Sequence, residues 1–432
     1  MPLCFSGKTK NMKEIIHQFF AFNDPSVNTV LIGVCLLSIN CALTGTFIYL
    51  KKNAILGDVI SHAVLPGICI AFILQGEKNM PVLLVGAFVT GFLAAWLNNY
   101  IPKISVIKPD TASALILSVF FGTGTILLTI IQKTGNAAQS GVDSFIMGKA
   151  AGITQADILF LAMVLVVTMV LIVIFWRGLL LYCFDEEFAT ASGFKAKFYR
   201  FLISFLTVLS VTAGIQAAGV LLVAGLMIIP VVAANFWVRR IRIILVLASI
   251  FGIISATSGS FISYLKPGIP TGPWIIIVNA TFAFISILIG IKGGVLGRIL
   301  GDFRKYLKSR EENYLKYLYK LTEDNPGLHI PATLKNLMIK GSIIGFIYGY
   351  VKIKKGEMNL TPKGFAIAQK VVRRHRLWET YLSSIMNLQA DHLHENAELM
   401  EHYITDEIEE ELQKLLGKPI MDPHQRPIPY QE

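Results

Sequence analysis

The chain has 432 residues, of which 54% are apolar, and a mean hydropathy of +0.59. This composition is too apolar for an ordinary soluble protein of this length. The formal net charge of +11 comes largely from residues 1–297, where 19 Lys and Arg face 10 Asp and Glu, whereas residues 298–432 hold 20 against 18. Basic residues placed between apolar runs are typical of positive-inside topology and give no support for nucleic-acid binding.

The composition predicts three parts. Residues 1–27 form an N-terminal surface segment, with a short amphipathic helix over 12–20. Residues 28–297 form a transmembrane domain, and residues 298–432 a soluble domain in the cytoplasm. The five cysteines are scattered without a CxxC pair, so neither disulfides nor a zinc site is expected from them.

The transmembrane domain is predicted to be all-α, with about eight to nine spans of about 20 apolar residues. The candidate spans are 28–49, 54–75, 80–100, 111–133, 154–176, 199–216, 217–237, 241–264 and 272–292. Residues 199–237 form either two helices or one broken pair. With nine spans, eleven Lys and Arg fall in the inside loops and four in the outside loops, which sets the orientation.

The first chemical signal is the stretch 57–67, GDVISHAVLPG. Asp58 and His62 are four residues apart and therefore share one helix face. An ionisable side chain in mid-bilayer costs roughly 2.5–3.5 kcal/mol and is a functional-site candidate by default. A carboxylate and an imidazole offer two ligands to a divalent transition metal. The alternative is a capped helix end, with both side chains solvated at the membrane surface.

A second signal is the inside loop 184–194, FDEEFATASGF. Three consecutive acids precede small residues, which is typical of a short helix with acids in its first turn. Such a helix, presented to the cytosol, suits docking into a groove of another protein. A solvated loop would have a similar local sequence.

The soluble domain is predicted to be mainly helical with a small β-hairpin. Residues 311–321 show helical spacing of aromatics and leucines, and residues 345–356 indicate the hairpin. A further helix is expected after Thr361 and Pro362, a cap residue followed by a first-turn proline.

Histidines and carboxylates concentrate in this domain. Candidate metal ligands are His375 and Glu379 on one helix, and His394, Glu398, Glu401 and His402 on the next. Their i, i+4, i+7 and i+8 spacings place them on common faces, and two such helices make a plausible divalent-metal site. The alternative is a solvated acidic face with incidental histidines.

Four motifs of the membrane half occur in a recognisable order: 57–67, 108–128 (KPDTASALILSVFFGTGTILL), 184–194 and 217–234 (AAGVLLVAGLMIIPVVAA). Together they resemble the membrane permeases of bacterial manganese, zinc and iron ABC importers. The resemblance implies a multi-pass protein of the bacterial cytoplasmic (inner) membrane. It also implies a permease dimer, with itself or a paralogue, on cytoplasmic ATPase subunits, and an extracellular metal-binding protein that delivers the ion.

The same resemblance assigns roles to residues. It implies that Asp58 and His62 line the metal path near the outer gate. It also implies that 184–194 couples to the ATPase, through Asp185, Glu186, Glu187, Phe188, Ala191 and Gly193. The chain has no Walker motif, so it is expected to be a transport subunit and not an enzyme, with ATP hydrolysed by the partner.

The tail carries its own resemblance. The stretches 373–382 (RRHRLWETYL), 394–417 (HENAELMEHYITDEIEEELQKLLG) and 422–429 (DPHQRPIP) resemble the metal-binding and dimerisation region of diphtheria-toxin-repressor-like regulators. His375, Glu379, His394, Glu398, Glu401 and His402 occupy ligand-type positions. Glu398 replaces the cysteine of iron-sensing members, and oxygen ligands favour Mn²⁺ or Fe²⁺ over Zn²⁺.

The tail also departs from that family. The N-terminal helix of the family supplies a further ligand near the present Asn313 and Lys316, so this contribution is lost or changed. The helix-turn-helix expected between Leu321 and Gly345 is short. With a near-neutral tail, DNA binding is not expected.

Three functions follow from the sequence. The first is the permease subunit of an ATP-driven importer of a divalent transition metal (Mn²⁺ foremost, Fe²⁺ or Zn²⁺ next) with a metal-sensing or dimerisation tail. The second is a bifunctional permease whose tail is a metal-dependent DNA-binding repressor. In the third, the tail is only a dimerisation module with a vestigial site. An autonomous secondary transporter is the remaining class for the membrane half.

Overall fold

A computed structural model describes Phe19, Ala21 and residues 24–76, 79–133, 152–265, 269–324, 349–354, 357–386, 397–398 and 400–430. The chain divides into two compact units, Met1–Gly297 and Arg298–Glu432, which are described separately. Most of the predicted helix 12–20, and His394, lie outside the described residues.

Within the described part of the first unit, the helices are α1 (Pro25–Leu50), α2 (Leu56–Gln75), α3 (Met80–Ile104), α4 (Pro109–Lys133), α5 (Gln155–Ile174), α6 (Trp176–Phe184), α7 (Glu186–Ala191), α8 (Ala196–Ala218), α9 (Val220–Asn235), α10 (Ile241–Leu265) and α11 (Thr271–Ile289). Eight of these are long and apolar enough to span a membrane, and α9 is a shorter apolar helix. This confirms the predicted all-α membrane architecture of eight to nine spans.

The break between α8 and α9 occurs at Gly219, whose φ of 86° lies in the left-handed region that favours glycine. The two helices fold back on each other there, because a Cβ added at Gly214 would lie 2.6 Å from the Val223 side chain. Residues 199–237 therefore form two helices. Two crossings also keep Lys195 and Arg240 at the same membrane face, as the positive-inside rule requires.

The helices of this unit differ in how much of their surface the chain covers. Helices α1, α2 and α8 are mostly buried, whereas α3, α4, α5 and α11 leave most of their residues partly or fully exposed. Helices α2 and α3 approach closely, since a Cβ at Gly67 would lie 2.1 Å from the Gly86 carbonyl oxygen. Close contacts between small residues hold membrane helices together where the hydrophobic effect cannot. The exposed outer surfaces suit lipid tails or a partner subunit.

The second unit continues from α12 (Val295–Asp324) to β1 (Val351–Lys354), β2 (Glu357–Leu360), α13 (Pro362–Ser384) and α14 (Asp406–Leu415). The strands pair antiparallel, with Val351 opposite Leu360. The hairpin therefore extends beyond the predicted range of 345–356. Thr361 caps α13 as predicted, and its hydroxyl accepts a hydrogen bond from the Gly364 amide.

The core of the second unit joins α12, the hairpin and α13. Its buried residues include Tyr314, Leu315 and Leu318 from α12, Met358 from β2 and Val372 from α13. This packing fixes the two long helices side by side. It brings the polar faces of α12 and α13 together with residues 397–402.

Candidate functional site

Asp58 and His62 lie in the first two turns of α2, on one face. The His62 Nε2 is 3.5 Å from the Asp58 Oδ1, and both side chains are partly exposed. Asp58 is not the cap of α2, because the residue at that position is Ile55 and it makes no capping hydrogen bond. The structure therefore does not support the simplest version of the alternative, in which Asp58 caps the helix.

The depth of the pair follows from its neighbour on α4. The His62 ring contacts the Phe121 ring edge to face, with centroids 5.0 Å apart. Phe121 is the central residue of α4, about 18 Å from either end at 1.5 Å per residue. The His62 ring thus lies beside the middle of α4, and the position of the pair near an outer gate stays a prediction.

The segment 184–194 forms a short helix, α7. Its N-cap is Asp185, whose carboxylate accepts a hydrogen bond from the Phe188 amide at 2.9 Å. The segment ends at Gly193, whose φ of 87° favours glycine. Local chemistry therefore accounts for both ends of this helix.

The acids of α7 point in different directions. Glu186 pairs with Lys51 at 3.3 Å and also with Arg200, so it holds α7 to the ends of α1 and α8. Glu187, Phe188 and Ala191 are exposed. The exposed side chains are available to a partner, whereas Glu186 anchors the helix. The sequence did not reveal Lys51 and Arg200 as its partners, because 135 and 14 residues separate them from Glu186.

In the second unit, the ammonium of Lys316 lies among the predicted ligands. Its Nζ is 2.9 and 2.7 Å from the two carboxylate oxygens of Glu401, and 3.2 Å from the Nδ1 of His375. His375 Nδ1 is also 2.6 Å from Glu401, and its Nε2 is 3.0 Å from Glu379. The four side chains are almost completely buried. They form what is called here the Lys316 cluster.

Charge balance within the cluster shifts two pKa values. Burial lowers the pKa of His375, but hydrogen bonds from its ring to Glu379 and Glu401 outweigh burial and leave it raised. Burial raises the pKa of Glu401, yet the hydrogen bond from His375 and the Lys316 charge leave it lowered. Both groups are therefore held in their charged forms.

His402 belongs to a more open neighbourhood. Its Nδ1 is 2.6 Å from Glu312 and its Nε2 is 3.1 Å from the Asn313 side-chain oxygen. These residues and Glu398 line a cavity of about 780 Å³. Glu398 is helical, and residues 401–403 form a turn in which the Glu401 amide still donates to the Ala397 carbonyl at 3.0 Å.

The candidate ligands of the tail thus form a buried group and an open group. The two groups adjoin, since Lys316 Nζ is 3.9 Å from Glu398 and His402 Nε2 is 3.7 Å from Glu401. In their present positions, no three His, Cys, Asp or Glu side chains among the described residues converge as a metal site would require. The buried group does not fit a metal, because an ammonium already lies against both its carboxylate and its imidazole. The open group offers oxygen and nitrogen donors beside a cavity. From the sequence, Lys316 is identifiable only as a position where the chain departs from the regulator family.

Comparison with known families decides the identity of the membrane half. The ABC 3 transport family matches residues 23–290, more than half of the chain. The chain belongs to this family. A second match covers residues 361–430 and is the iron dependent repressor, metal binding and dimerisation domain. Both resemblances drawn from the sequence are confirmed.

Relatives of this ABC 3 chain carry transport names. The chain is 32% identical over 373 residues to the manganese transport system membrane protein MntC of Bacillus subtilis, covering 84% of this chain and 86% of that protein. It is 38% identical over 275 residues to the zinc transport system membrane protein TroC of Treponema pallidum, covering 64% and 92%. Among solved structures, PsaBC from Streptococcus pneumoniae in complex with Fab is 30% identical with a TM-score of 0.57, covering 65% of this chain and 99% of that chain.

Proposed function

We propose that this protein is the membrane-spanning permease subunit of an ATP-driven importer of divalent transition metal ions, with Mn²⁺ the first candidate and Fe²⁺ or Zn²⁺ next. The family membership and the names of the relatives support metal transport. The observation that carries the proposal is the Asp58–His62 pair, a carboxylate and an imidazole one turn apart at mid-height.

The pair suits a passing ion. A carboxylate and an imidazole are ligands for Mn²⁺, Fe²⁺ and Zn²⁺, with thiolates absent from the pair. Two ligands per chain hold an ion weakly, and a transport site must bind well enough to admit the ion and loosely enough to release it. A second permease subunit, identical or paralogous, would complete the site. The partly exposed faces of Asp58 and His62 leave room for it.

Energy would come from a cytoplasmic ATPase partner that binds α7. Glu187, Phe188 and Ala191 are the exposed residues that such a partner would contact, with Phe188 as the apolar anchor. Glu186 would transmit movement of α7 to α1 and α8, since it pairs with Lys51 and Arg200. An extracellular metal-binding protein would deliver the ion to the opposite face.

For the tail, we propose a regulatory metal site in its open group, made by Glu398 and His402 with Glu312 and Asn313 beside the cavity. Binding would require His402 to exchange its present partners for the ion. Of the six ligands expected from the sequence, this proposal retains Glu398 and His402. His394 lies outside the described residues.

Uptake of ⁵⁴Mn²⁺ into proteoliposomes that contain the permease and its ATPase tests the transport proposal. We expect Asp58→Asn and His62→Gln each to lower uptake by more than about 10-fold, since even outer-shell partners of metal ligands matter that much. Asp110→Asn is the matched control, because it removes an exposed first-turn acid from α4. Normal uptake by both test variants would remove the assignment of the path.

A further inference from the structure

The Lys316 cluster contains the ligand types of a metal site but is already supplied with a cation. An ammonium has three N–H donors. Lys316 directs two of them to the oxygens of Glu401, at 2.7 and 2.9 Å, and its Nζ lies 3.2 Å from the Nδ1 of His375. Both ring nitrogens of His375 lie against carboxylates, Nδ1 at Glu401 and Nε2 at Glu379. Both oxygens of Glu401 and both ring nitrogens of His375 therefore already have a partner.

Because the cluster is buried, its charges must be balanced within it. The side chain of Lys316 is 6% exposed and that of Glu401 is fully buried. A buried charge without a partner is strongly unfavourable, so each of these groups requires the other. A divalent ion entering at Glu401 would be repelled by the ammonium at hydrogen-bond distance.

We propose that Lys316 is a built-in substitute for a metal ion, so that the buried half of the tail's ligand set is assembled without metal and only the open half responds to it. The inference goes beyond the transport function and concerns which residues of the tail can sense an ion. It also accounts for Lys316, a position at which the sequence resemblance implies a lost or changed ligand. The tail would then bind one metal ion, although its ligand-type residues suggest more than one site.

The full-length protein tests this with Lys316→Met, which keeps the length of the side chain but removes the ammonium. Bound Mn²⁺ is counted by equilibrium dialysis, and the tail is probed by its rate of trypsin cleavage with EDTA or with Mn²⁺. We expect the variant to bind one more Mn²⁺ per chain than wild type. We also expect its tail to be cleaved faster in EDTA and to recover about 10-fold at Mn²⁺ ten times its dissociation constant.

Two further variants complete the test. Lys370→Met removes an ammonium from an exposed pair with Asp406, so its Mn²⁺ count and metal dependence should equal those of wild type. Lys316→Met/Glu401→Gln replaces the buried ion pair with neutral groups, so its tail should resist trypsin in EDTA and bind no additional Mn²⁺.

Several outcomes would overturn the proposal. One is a Mn²⁺ count in Lys316→Met no higher than in wild type. Another is a Lys316→Met tail that is cleaved equally fast with and without Mn²⁺, because an ion able to take the ammonium's place should restore it. Extra Mn²⁺ in the double variant would also contradict it. Neither readout involves transport, so failure here would leave the permease function standing.

Discussion

The Asp58–His62 pair and the Lys316 cluster use the same chemistry in opposite ways. Each joins a carboxylate to an imidazole, at 3.5 Å in the membrane unit and at 2.6 Å in the tail. The membrane pair is partly exposed, and the structure shows Phe121 packed against it. The tail cluster is buried and holds a lysine ammonium.

The difference teaches what would separate the proposed transport site from a structural cluster. A site for a passing ion must leave its ligands without a permanent cation, so that the ion supplies the positive charge. A structural cluster gains from a tethered cation, since the pairing needs no ligand from solution and no loss of translational freedom. The same two residue types are therefore not sufficient to identify a metal site. In these two sites, the distinguishing feature is whether a lysine ammonium lies beside the carboxylate and the imidazole.

The largest expected effect comes from placing a fixed positive charge beside Asp58. His62→Lys would place an ammonium one turn from Asp58, reproducing the pairing of Lys316 with Glu401. A divalent ion 4 Å from that ammonium would be opposed by about 8 kcal/mol at an effective dielectric constant of about 20. We expect ⁵⁴Mn²⁺ uptake to fall below detection while the ATPase still co-purifies with the permease.

The control for this substitution is His62→Gln, which removes a ligand without adding charge. Its residual uptake should exceed that of His62→Lys. Equal residual uptake in the two variants would mean that charge at this position is irrelevant.

A smaller effect is expected when the carboxylate of the Lys316 cluster is removed. Glu401→Ala would leave the buried ammonium of Lys316 without its carboxylate, at a cost of about 3–5 kcal/mol in the free energy of unfolding of the tail. Hydrogen exchange of the α13 amides measures this cost. Glu398→Ala is the matched control, because its side chain is 57% exposed and 3.9 Å from Lys316, so about 1 kcal/mol or less is expected. Similar losses in both variants would contradict the buried pairing.

The two regions also differ in how far the sequence could predict them. Helical spacing was enough to place Asp58 and His62 on one face, because i and i+4 are neighbours in any helix. Local rules likewise predicted the Thr361 cap and the α7 helix. The Lys316 cluster joins residues 59 and 85 positions apart, so its geometry depends on the packing of α12 against α13. Periodicity contains no information about such a contact.

The depth of the membrane pair likewise depends on packing. Asp58 lies in the first turn of α2, which by itself would suggest a position near a membrane face. The contact between His62 and Phe121 shows that the second turn of α2 lies beside the middle of α4. Helix offsets are a property of packing, here of the close approach of Gly124 on α4 to Leu65 on α2, and not of span boundaries.

A third ion pair provides a comparison at moderate exposure. Glu186→Gln would remove the charge that holds α7 to Lys51 and Arg200, and partly exposed pairs contribute about 1 kcal/mol or less. We expect the ATPase to bind with nearly normal affinity but transport per ATP hydrolysed to decrease severalfold. Phe188→Ala should do the reverse and weaken ATPase binding itself. The two substitutions separate anchoring from docking, and the same phenotype in both would contradict that division.

The smallest effect is a pH dependence of the tail. The pKa of Glu401 lies below its ordinary value of 4.5, so its stabilising contribution is present above that pH and is lost as the pH falls through the lowered pKa. The pKa of His375 lies above its ordinary value of 6.5, so its contribution is complete below that pH and is lost as the pH rises through the raised pKa. Metal-free tail should therefore be most stable between about pH 4.5 and 6.5. Protection factors of the α13 amides, corrected for intrinsic exchange, should decline from pH 6 toward pH 9, and the decline should vanish in His375→Gln. A decline that persists in this variant would mean that another group titrates, and that the ammonium alone, without the imidazolium, balances Glu401.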